Sequence, residues 1–575
     1  MLPAARREIR RRAMAGAATL PGHLHPVLRR LYAARGVGDA DELDLDLRRL
    51  LPVSTLDGIE AAAGVVCDHL RRGSRLLVVG DFDADGATST ALVLRQLQRL
   101  GHANAAFRVP DRLRHGYGLT PELVADFGEE RPDLLITVDN GVAAHAGIGA
   151  ARSLGIPVLV TDHHLPGAGL PAAAAIVNPN LPGAGFGSHA LAGVGVAFYL
   201  MAAVTRALEN ERGVRLPPVA DLLDLVALGT IADLVPLDRN NRILVREGLR
   251  RIRAGRACPG LLALAGVAGI GMADISTRTL GFQIAPRLNA AGRIDDMAVG
   301  IRCLLVDDTQ AAAALAAELD TINRERRELE ARMQQEASAA VRKLHLQEGA
   351  LPAGLALYDA GWHPGIVGLI ATRVRERVHR PVVAFAPAAD GELRGSARSV
   401  DGLHIRDALE AIAVREPDLI GRFGGHAMAA GLSLRRDRLA RFATAFAAEI
   451  GGLLAPERMR GVIETDGALE PAEMSLETAL AIESGGPWGQ GFPEPLFDNE
   501  FEVLEARVVG ERHLKLLLRA APATRPIEAI AFGQAERSRR PQPGARIVLC
   551  YRLQASRWGG NARAELSSEY LEVLD

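Results

Sequence analysis

Acidic side chains and a histidine pair follow short apolar runs at four separate places in this sequence. Carboxylate oxygens and imidazole nitrogens are ligands that divalent cations bind in proteins. Several ionised carboxylates gathered in one crevice repel each other, so such a cluster is costly unless a cation neutralises it. The candidate residues are Asp83 and Asp85 in GDFDADG, Asp139 in TVDNG, His163 and His164 in TDHH, and Asp233 in IADLVP.

The apolar runs before these residues predict where the chain brings them together. RLLVVG, DLLITV and PVLVTD each have the length and apolar character of a strand buried in a parallel sheet, and helical patterns separate them. This alternation predicts an α/β fold with a doubly wound, mainly parallel sheet. Such sheets bind ligands at the carboxyl ends of their strands, so we expect the candidates to meet at one edge.

The ligand types favour Mn²⁺ or Mg²⁺ over a structural zinc ion, which prefers cysteine. The four cysteines are widely separated, and none forms a CxxC pair that would indicate a zinc finger. Scattered cysteines also fit a reducing, cytoplasmic location.

Length and charge limit the classes of protein that fit. With 575 residues the chain is too long for one core, and two to four domains are expected. The formal net charge is −2, so any nucleic-acid site must be a local basic track. No apolar run is long enough for a membrane span, and the basic N-terminus lacks the apolar stretch of a signal peptide.

Changes of pattern divide the chain into five parts. An arginine-rich lead-in covers residues 1–50, and the first α/β pattern covers 51–300. The stretch 301–348 is rich in helix-forming residues and predicts a long helix that joins two lobes. A smaller α/β pattern follows at 349–455, and short alternating strands at 456–575 predict a β-barrel, with an OB-type barrel favoured.

Small and basic residues outside the acidic cluster are candidates for holding a nucleic-acid strand. Serine and arginine alternate in GSARS and together can bind phosphate. The glycines of GGHAMAAG let the backbone approach a phosphate closely. PRLNAAGR is expected to form a loop of small residues, which would also let the backbone approach a ligand. In the basic C-terminal region, Tyr551 and Trp558 could stack on bases. The strand-binding candidates are Arg112, Arg287, Arg293, Ser396, Arg398, Gly424, Gly425 and His426.

The motifs occur in the order found in a known family. Through GDFDADG, VDNG, TDHH and GTIADLVP the sequence resembles the DHH phosphoesterases, and through GRFGGHAMAAG its second lobe resembles a DHHA1 domain. The segments VPDRLRHGYGL, PRLNAAGR, GWHPGIVGLIATR, GSARS and WGQGFPEPLF are similar to one branch, the RecJ single-strand-specific exonucleases. The resemblance extends in order from residue 50 to residue 575.

The resemblance implies an active site with two divalent ions, Mn²⁺ or Mg²⁺. Asp83 and Asp139 would hold one ion, and the other would be held by Asp85, Asp139, His163 and Asp233. His164 would face the scissile phosphate. Asp81 matches a family position, but the resemblance leaves open whether it binds a metal. Two such ions can stabilise both the attacking and the leaving oxygen of an in-line displacement.

The resemblance also implies a route for the strand. The 5′ terminus would be recognised by Arg112, Ser396 and Arg398, and Arg293 and His426 would contact the strand near the cut. The implied activity is 5′ to 3′ hydrolysis of single-stranded DNA to 5′-mononucleotides in recombination and repair. Single-stranded DNA, a single-strand-binding protein and a helicase are the implied partners. A cleft too narrow for a duplex would explain strand specificity.

Three other functions fit parts of the sequence. A DHH hydrolase of short oligonucleotides, pAp or cyclic dinucleotides would share the metal motifs, but such enzymes usually lack a C-terminal barrel. A non-catalytic DNA-binding relative would typically lose motif carboxylates, which are all present here. A metal-dependent pyrophosphatase would be far shorter than this chain. Comparing cleavage of long single strands and of dinucleotides would separate the first alternative from an exonuclease.

Overall fold

The computed structural model describes most of the chain. The described residues are 7–13, 20–111, 114–128, 131–167, 169–343, 351–388, 391–455, 459, 461–510, 513–521, 525–535, 540–557 and 561–574.

The secondary-structure elements are numbered in chain order. Helices α1–α17 span Pro26–Ala33, Ile59–Arg71, Ala84–Arg99, Pro121–Ala125, His145–Ser153, Gly193–Arg212, Leu223–Ala232, Arg239–Arg253, Pro259–Val267, Thr277–Thr279, Ala285–Ile294, Ala298–Leu305, Thr309–Lys343, Val367–Val378, Ile405–Arg415, Leu439–Leu453 and Leu476–Ser484. Strands β1–β17 span Glu8–Arg11, Leu76–Gly80, Ala105–Arg108, Leu134–Val138, Val158–Thr161, Ala175–Val177, Leu355–Tyr358, Val382–Pro387, Glu392–Arg398, Arg422–Gly425, Ala429–Arg435, Val462–Thr465, Phe497–Val509, His513–Arg519, Ile527–Ala531, Arg546–Ser556 and Arg563–Leu574.

The first lobe is built on a five-stranded sheet. The strand order is β3-β2-β4-β5-β6, and every neighbouring pair is parallel. Helices α2, α3 and α6 pack with Leu76 and Val78 on one face, and α4 and α5 pack with Leu77 and Val79 on the other. Burial on both faces explains why these strands are continuously apolar. The predicted doubly wound parallel sheet is confirmed.

A long helix connects the two lobes, as predicted. Helix α12 ends at Leu305, and after a short break α13 runs for 35 residues. Helix α13 contacts α9, α11 and α12 of the first lobe and α14 of the second.

Within the described ranges, no single helix is long and apolar enough to cross a membrane. The segments Leu47–Thr55 and Ile59–Arg71, which meet at a sharp bend, reach the necessary length and apolar character only when they are taken together.

The second lobe is a smaller α/β unit. Its sheet has the order β10-β11-β9-β8-β7, in which only β7 and β8 are a parallel pair. Helix α14 packs on one face with Val382 and Ala384, while α15 and α16 pack on the opposite face with Val383 and Phe385. The smaller α/β lobe predicted from the sequence is therefore present.

The C-terminal strands close into a barrel in the order β13-β14-β15-β17-β16, which confirms the predicted barrel. The N-terminal segment is attached to this part of the chain, because β1 pairs in parallel with β12. Arg11 forms an ion pair with Asp498 of β13, and Arg35 forms a buried ion pair with Asp466. Residues from the two ends of the chain thus form one packed unit.

Candidate metal centre and strand-binding surface

The GDFDADG segment turns from β2 into α3 and places three aspartates around the turn. Asp81 follows β2, and its Oδ1 accepts a hydrogen bond from the next backbone amide at 2.8 Å. Oδ1 of Asp83 accepts a hydrogen bond from the Gly86 amide at 2.9 Å and caps the helix. Asp85 lies in the first helical turn. The cap starts the helix at Ala84, so Asp81 and Asp83 lie in the turn and Asp85 lies on the helix.

Asp85 is buried where α3 meets α6 and α7. Its carboxylate oxygens accept hydrogen bonds from the backbone amides of Gly193 at 2.7 Å and Val194 at 3.0 Å. These amides begin α6, where the helix dipole also favours negative charge. A Cβ atom on Gly193 would lie 2.6 Å from Cβ of Asp139, and one on Gly229 would lie 2.7 Å from Oδ1 of Asp85. The absence of side chains at these glycines lets both helices approach the acidic cluster.

Asp139 and His163 follow the neighbouring strands β4 and β5, and Asp233 follows α7. Nε2 of His163 lies 3.1 Å from Oδ1 of Asp139 and 3.5 Å from Oδ2 of Asp233. The structure therefore brings these residues together at the carboxyl edge of the parallel sheet.

The possible ligand atoms form two compact groups that share no residue, and a third group that overlaps both. The first group is Asp81, Asp83 and Asp139, the second is Asp85, His163 and Asp233, and the overlapping group is Asp139, His163 and His164; in each, the ligand atoms lie within 4.8 Å of one another. The contact between Asp139 and His163 joins the two groups. The first group contains both ligands that the resemblance implies for one ion, together with Asp81. The second group contains three of the four ligands that it implies for the other ion.

Burial and mutual repulsion raise the pKa values of the carboxyl groups in this centre. Burial, followed by the charge of Asp83, raises the pKa of both Asp81 and Asp233 to about 7. Burial and then the neighbouring carboxylates raise the pKa values of Asp85 and Asp139 well above their usual range. Ionisation of these carboxyl groups is therefore unfavourable without a compensating positive charge, and a cation that binds them must displace protons.

The donor atoms fit Mn²⁺ or Mg²⁺. Burial and the neighbouring His164 lower the pKa of His163 to about 4, so its imidazole is neutral and can act as a ligand. Nε2 of His163 and Oδ1 of Asp139 are buried, and neither makes a hydrogen bond within the described structure, because their contact is not aligned for one. A divalent cation would satisfy both atoms, and an oxygen-rich set with one nitrogen suits these two metals.

The second histidine of the pair is held by Asp162, which the sequence analysis did not single out. Nδ1 of His164 lies 2.7 Å from Oδ1 of Asp162, and the same carboxylate accepts a hydrogen bond from the Val142 amide. Burial acts to lower the pKa of His164, but the hydrogen bond and charge of Asp162 outweigh it, and the pKa is raised. The imidazole is half exposed, and its Nε2 lies beside the hydroxyl of Tyr117.

Tyr117 is a second residue that the sequence analysis missed, although its motif, VPDRLRHGYGL, was quoted. Its hydroxyl donates to the backbone carbonyl of Asp139 at 3.3 Å and lies 3.3 Å from Nε2 of His164. The ring packs edge-on against Phe82 and is 51% exposed, so it forms a wall of the metal centre. Arg112, in the same motif, lies outside the described residues.

The PRLNAAGR segment forms helix α11, and the small-residue loop expected there is wrong. Its alanines and leucine favour helix, and its proline lies in the first turn, where it is tolerated. Oδ1 of Asn289 accepts a hydrogen bond from the Ala84 amide at 2.7 Å. A Cβ atom on Gly292 would lie 1.7 Å from the carbonyl oxygen of Phe82. The helix therefore packs directly against the GDFDADG turn and supports it.

The two arginines of α11 have different surroundings. Arg287 is mostly buried and forms an ion pair with Asp320 of α13 at 2.8 Å. Arg293 is exposed in the last turn of α11. Arg287 thus ties the first lobe to the connecting helix, and Arg293 is the better placed of the two to contact a strand.

Ser396 and Arg398 face the same side of β9, as their alternation predicted. Nη1 of Arg398 donates to Oγ of Ser396 at 2.8 Å. The beginning of α14 lies directly against them, because a Cβ atom on Gly368 would be 2.8 Å from Nη2 of Arg398. Burial and the nearby Arg375 lower the pKa of Arg398, which marks a concentration of positive charge. A guanidinium beside a hydroxyl and a helix N-terminus can bind an anion.

The GGHAMAAG segment is the turn between β10 and β11. Gly424 pairs with Gly431, which in turn pairs with Ser396, so the three residues lie side by side across the sheet. A Cβ atom on either glycine would meet nothing within 4 Å, so this strip of backbone is open. Gly425 has a φ of 145°, which favours glycine, and His426 follows it in the turn. The strip provides a flat surface over which a polymer backbone could pass.

The barrel differs from the stacking surface expected there. Tyr551 is completely buried and packs against Phe497, so its expected exposure to bases is wrong; its side chain points into the barrel. Trp558 lies outside the described residues. Phe532 is 58% exposed after β15, with its ring edge-on to His513 at 5.2 Å. Phe532 is therefore an accessible aromatic side chain that the sequence analysis did not identify.

Three regions of the chain match models of known families. Residues 75–230 match the DHH family N-terminal domain, residues 351–452 match the DHHA1 domain, and residues 465–570 match the RecJ OB domain. Together they cover the sheet that carries the metal centre, the lobe that carries Ser396 and Arg398, and the barrel.

Whole-length relatives and solved structures agree with these matches. The single-stranded-DNA-specific exonuclease RecJ of Escherichia coli is 49% identical over 97% of this chain and 98% of its own length. The Haemophilus influenzae protein of that name is 46% identical over 96% and 97%. The crystal structure of Thermus thermophilus RecJ in complex with Mn²⁺ has a TM-score of 0.74 at 32% identity and covers 96% of this chain and 76% of that one. The chain belongs to the RecJ family of single-stranded-DNA-specific exonucleases.

Proposed function

We propose that this chain is a metal-dependent exonuclease that hydrolyses single-stranded DNA from the 5′ end and releases 5′-mononucleotides. The observation that carries the proposal is the pair of ligand groups joined by the 3.1 Å contact between His163 and Asp139. Relatives that match nearly the whole chain are named single-stranded-DNA-specific exonucleases, and solved Thermus thermophilus RecJ structures contain Mn²⁺ or Mg²⁺.

Two divalent ions would be held at the carboxyl edge of the sheet. The proposed ligands are Asp83 and Asp139 for one ion, with Asp81 close by, and Asp85, Asp139, His163 and Asp233 for the other. When bound, such ions supply the positive charge that stabilises the attacking and leaving oxygens of an in-line displacement. The buried carboxylates fix the positions of this charge before substrate arrives, so little reorganisation is needed during reaction.

His164 is proposed to bind the scissile phosphate. Asp162 holds its Nδ1 and raises its pKa, which favours the protonated ring that can donate a hydrogen bond to a phosphate oxygen. Tyr117 stands beside it with an exposed ring that can limit access of bulk water to the reacting phosphate. These residues orient the phosphate, and no base contact is required.

The second lobe is proposed to hold the 5′ end of the strand. Arg398, Ser396 and the beginning of α14 form an anion niche for a terminal phosphate. By the family resemblance alone, Arg112 would also recognise the 5′ end. The open backbone strip of Gly424 and Gly431 can accept a sugar-phosphate chain without steric conflict. Contacts to phosphate and backbone carry no sequence information, so cleavage should be independent of sequence.

Three further parts of the proposal come from the family resemblance. Arg293 and His426 would contact the strand near the cut, and a cleft too narrow for a duplex would give specificity for single strands. We place the enzyme in the cytoplasm, in recombination and repair, with a single-strand-binding protein and a helicase as partners. The four buried cysteines without disulfide bonds are compatible with a reducing compartment.

One assay tests the proposal directly. Single-stranded DNA, duplex DNA and RNA strands labelled at the 5′ or the 3′ end, together with a dinucleotide, are incubated with Mn²⁺, Mg²⁺ or a chelator. The expected result is rapid release of labelled mononucleotide from 5′-labelled single-stranded DNA, dependent on metal, with little cleavage of the duplex. Preference for the dinucleotide would instead identify a hydrolase of short oligonucleotides, and activity in chelator would reject the metal centre.

A further inference from the structure

The loop WGQGF, residues 488–492, packs against the segment that follows the metal-centre residue Asp233. The backbone amide of Leu237 donates a hydrogen bond to the carbonyl oxygen of Gln490 at 2.7 Å. A Cβ atom on Gly489 would lie 2.7 Å from Cδ1 of Leu237, and one on Gly491 would lie 3.1 Å from Cβ of Pro236. The WGQGF loop thus fits closely against Pro236 and Leu237 because it lacks side chains at its two glycines.

The chain between Asp233 and this contact is strained. Leu234 has a φ of 60° and is 70% exposed. A leucine in the left-handed region is unfavourable and persists only where the surrounding structure fixes the backbone on both sides. On one side α7 ends at Ala232, and on the other the WGQGF loop holds Pro236 and Leu237. Release of this second anchor would let the strained turn relax and would move Asp233.

The WGQGF loop is itself firmly held. Trp488 and Phe492 stack with ring centroids 5.1 Å apart. The guanidinium of Arg35 in the N-terminal segment lies 5.1 Å from the Trp488 ring and forms an ion pair with Asp466, and both charged side chains are 1% exposed. Arg242 of α8 lies 4.3 Å from the centroid of the Phe492 ring. The loop therefore links the N-terminal segment, the C-terminal part and the first lobe.

The other proposed ligands do not depend on this loop in the same way. Asp83 caps α3 and Asp85 lies in its first turn, and Asp139 and His163 lie within two residues of the ends of adjacent strands of one sheet. Asp139 has a φ of 62°, but its backbone amide donates to the carbonyl oxygen of Thr161 within the sheet, whereas Asp233 follows a helix and precedes the strained Leu234.

We infer that the WGQGF loop is a positioning element for Asp233, so that the C-terminal part of the chain completes the metal centre. The inference rests on the proposed metal centre but is independent of which polymer is cleaved. In this role the WGQGF loop does more than join domains, because it sets the affinity for the ion that Asp233 helps to bind. It also means that deletion of residues 460–575 would disturb metal binding as well as strand binding.

The test compares two glycine-to-alanine variants of the full-length protein. Gly491→Ala introduces a methyl group against Pro236 at a residue with a φ of 71°, whereas Gly544→Ala places alanine at a φ of 86° with nothing within 4 Å. Both changes place an alanine in the unfavourable left-handed backbone conformation in the C-terminal part of the chain. Only the first disturbs the contact with Pro236, which anchors the segment after Asp233. Mn²⁺ binding is measured by titration calorimetry, with the melting temperature recorded in chelator.

We expect Gly491→Ala to bind Mn²⁺ roughly tenfold more weakly than Gly544→Ala, in the range found when groups that orient metal ligands are changed. Its turnover number should recover when Mn²⁺ is raised to saturation, which a general loss of folding would not allow. If Gly491→Ala and Gly544→Ala bind Mn²⁺ equally, the positioning role is rejected. If the unmodified protein binds no Mn²⁺, the proposed metal centre itself fails.

A second variant covers the case in which Gly491→Ala does not fold. Leu237→Ala removes the side chain that packs under Gly489 but retains the amide that donates to Gln490. The same weakening of Mn²⁺ binding, with recovery of turnover at high Mn²⁺, is expected. Affinity equal to that of the unmodified protein would overturn the inference.

Discussion

Nδ1 of His164 lies 2.7 Å from Oδ1 of Asp162, so the aspartate of TDHH holds the last residue of the same motif. The buried Asp162 also accepts a hydrogen bond from the Val142 amide, which fixes the carboxylate in place. The arrangement orients the imidazole and favours its protonated form.

Asp162→Asn should shift the pH dependence of cleavage. Burial lowers the pKa of His164, and the hydrogen bond and charge of Asp162 more than reverse this effect. Removal of that charge lowers the pKa, so His164 loses its proton at a lower pH and the alkaline decline of kcat/KM begins earlier. At about pH 8 we expect a loss of about 10- to 100-fold. Pre-steady-state cleavage across a pH series measures the shift.

The matched control is Asp133→Asn, since Asp133 precedes β4 at the opposite edge of the sheet and accepts a hydrogen bond from the Arg75 amide. This variant should keep the profile of the unmodified protein. A profile for Asp162→Asn that is reduced in height but not displaced along the pH axis would show that Asp162 has only a structural role.

Asp139→Asn should remove the link between the two ligand groups. The proposed shared ligand would lose its charge, so calorimetry should detect fewer than two Mn²⁺ ions, and turnover should fall by at least about 1,000-fold. In chelator, however, the variant should be more stable than the unmodified protein near neutral pH. The reason is that burial and neighbouring carboxylates oppose ionisation of Asp139. Unchanged Mn²⁺ stoichiometry would contradict the bridging role.

Metal removal should make the protein less stable as pH rises. The folded-state pKa of Asp81 and of Asp233 is about 7, above the ordinary value of 3.8. Their protonated forms therefore contribute stability that is complete below about pH 4 and is lost as pH rises through 7. Melting temperatures in chelator should fall from about pH 5 to about pH 8, and Mn²⁺ should restore stability at the higher pH.

The double variant Asp81→Asn Asp233→Asn isolates this contribution. Its stability in chelator relative to the unmodified protein should increase steadily over the same pH range, because asparagine does not ionise. A difference between the two proteins that does not change with pH would show that these two carboxylates do not titrate as described.

The sequence was sufficient to predict the meeting of Asp139 with His163, because both follow buried strands and parallel strands end at the same edge. Their connection to Asp85 was also predictable from its place after β2. The contributions of Asp162 and Tyr117 were not, since each depends on the angle of one side chain relative to His164.

Long-range packing limited the other predictions. Strand β1 pairs with β12, which is more than 400 residues away, and local patterns carry no information on such a pairing. PRLNAAGR contains small residues that suit a loop as well as a helix, and its contact with the GDFDADG turn selects the helix. Tyr551 is followed by Arg552 in the sequence, but closure of the barrel turns the tyrosine side chain inward.

Arg398→Ala should weaken strand capture more than chemistry. Arg398 contacts Ser396 in the proposed niche for the 5′ phosphate and lies in the second lobe, away from the proposed metal ligands in sequence. We expect KM for 5′-phosphorylated single strands to rise about tenfold or more, with little change in kcat. Arg406→Ala is the control, because Arg406 is exposed on α15, which covers the opposite face of the sheet. Unchanged KM with reduced kcat would assign Arg398 to the chemical step instead.

Phe532→Ala should weaken binding of single-stranded DNA without disturbing the metal centre. Deletion of the whole C-terminal part cannot show this, because the WGQGF loop contacts Leu237 in the first lobe. Phe532 is exposed on the barrel, and loss of one aromatic stacking partner typically costs about 1–3 kcal/mol of binding free energy. Fluorescence anisotropy with a labelled oligonucleotide in chelator measures the change, and Mn²⁺ calorimetry should show no difference. Val414→Ala, at an exposed apolar residue of α15, is the control; equal affinity of the two variants would exclude Phe532 from the strand-binding surface.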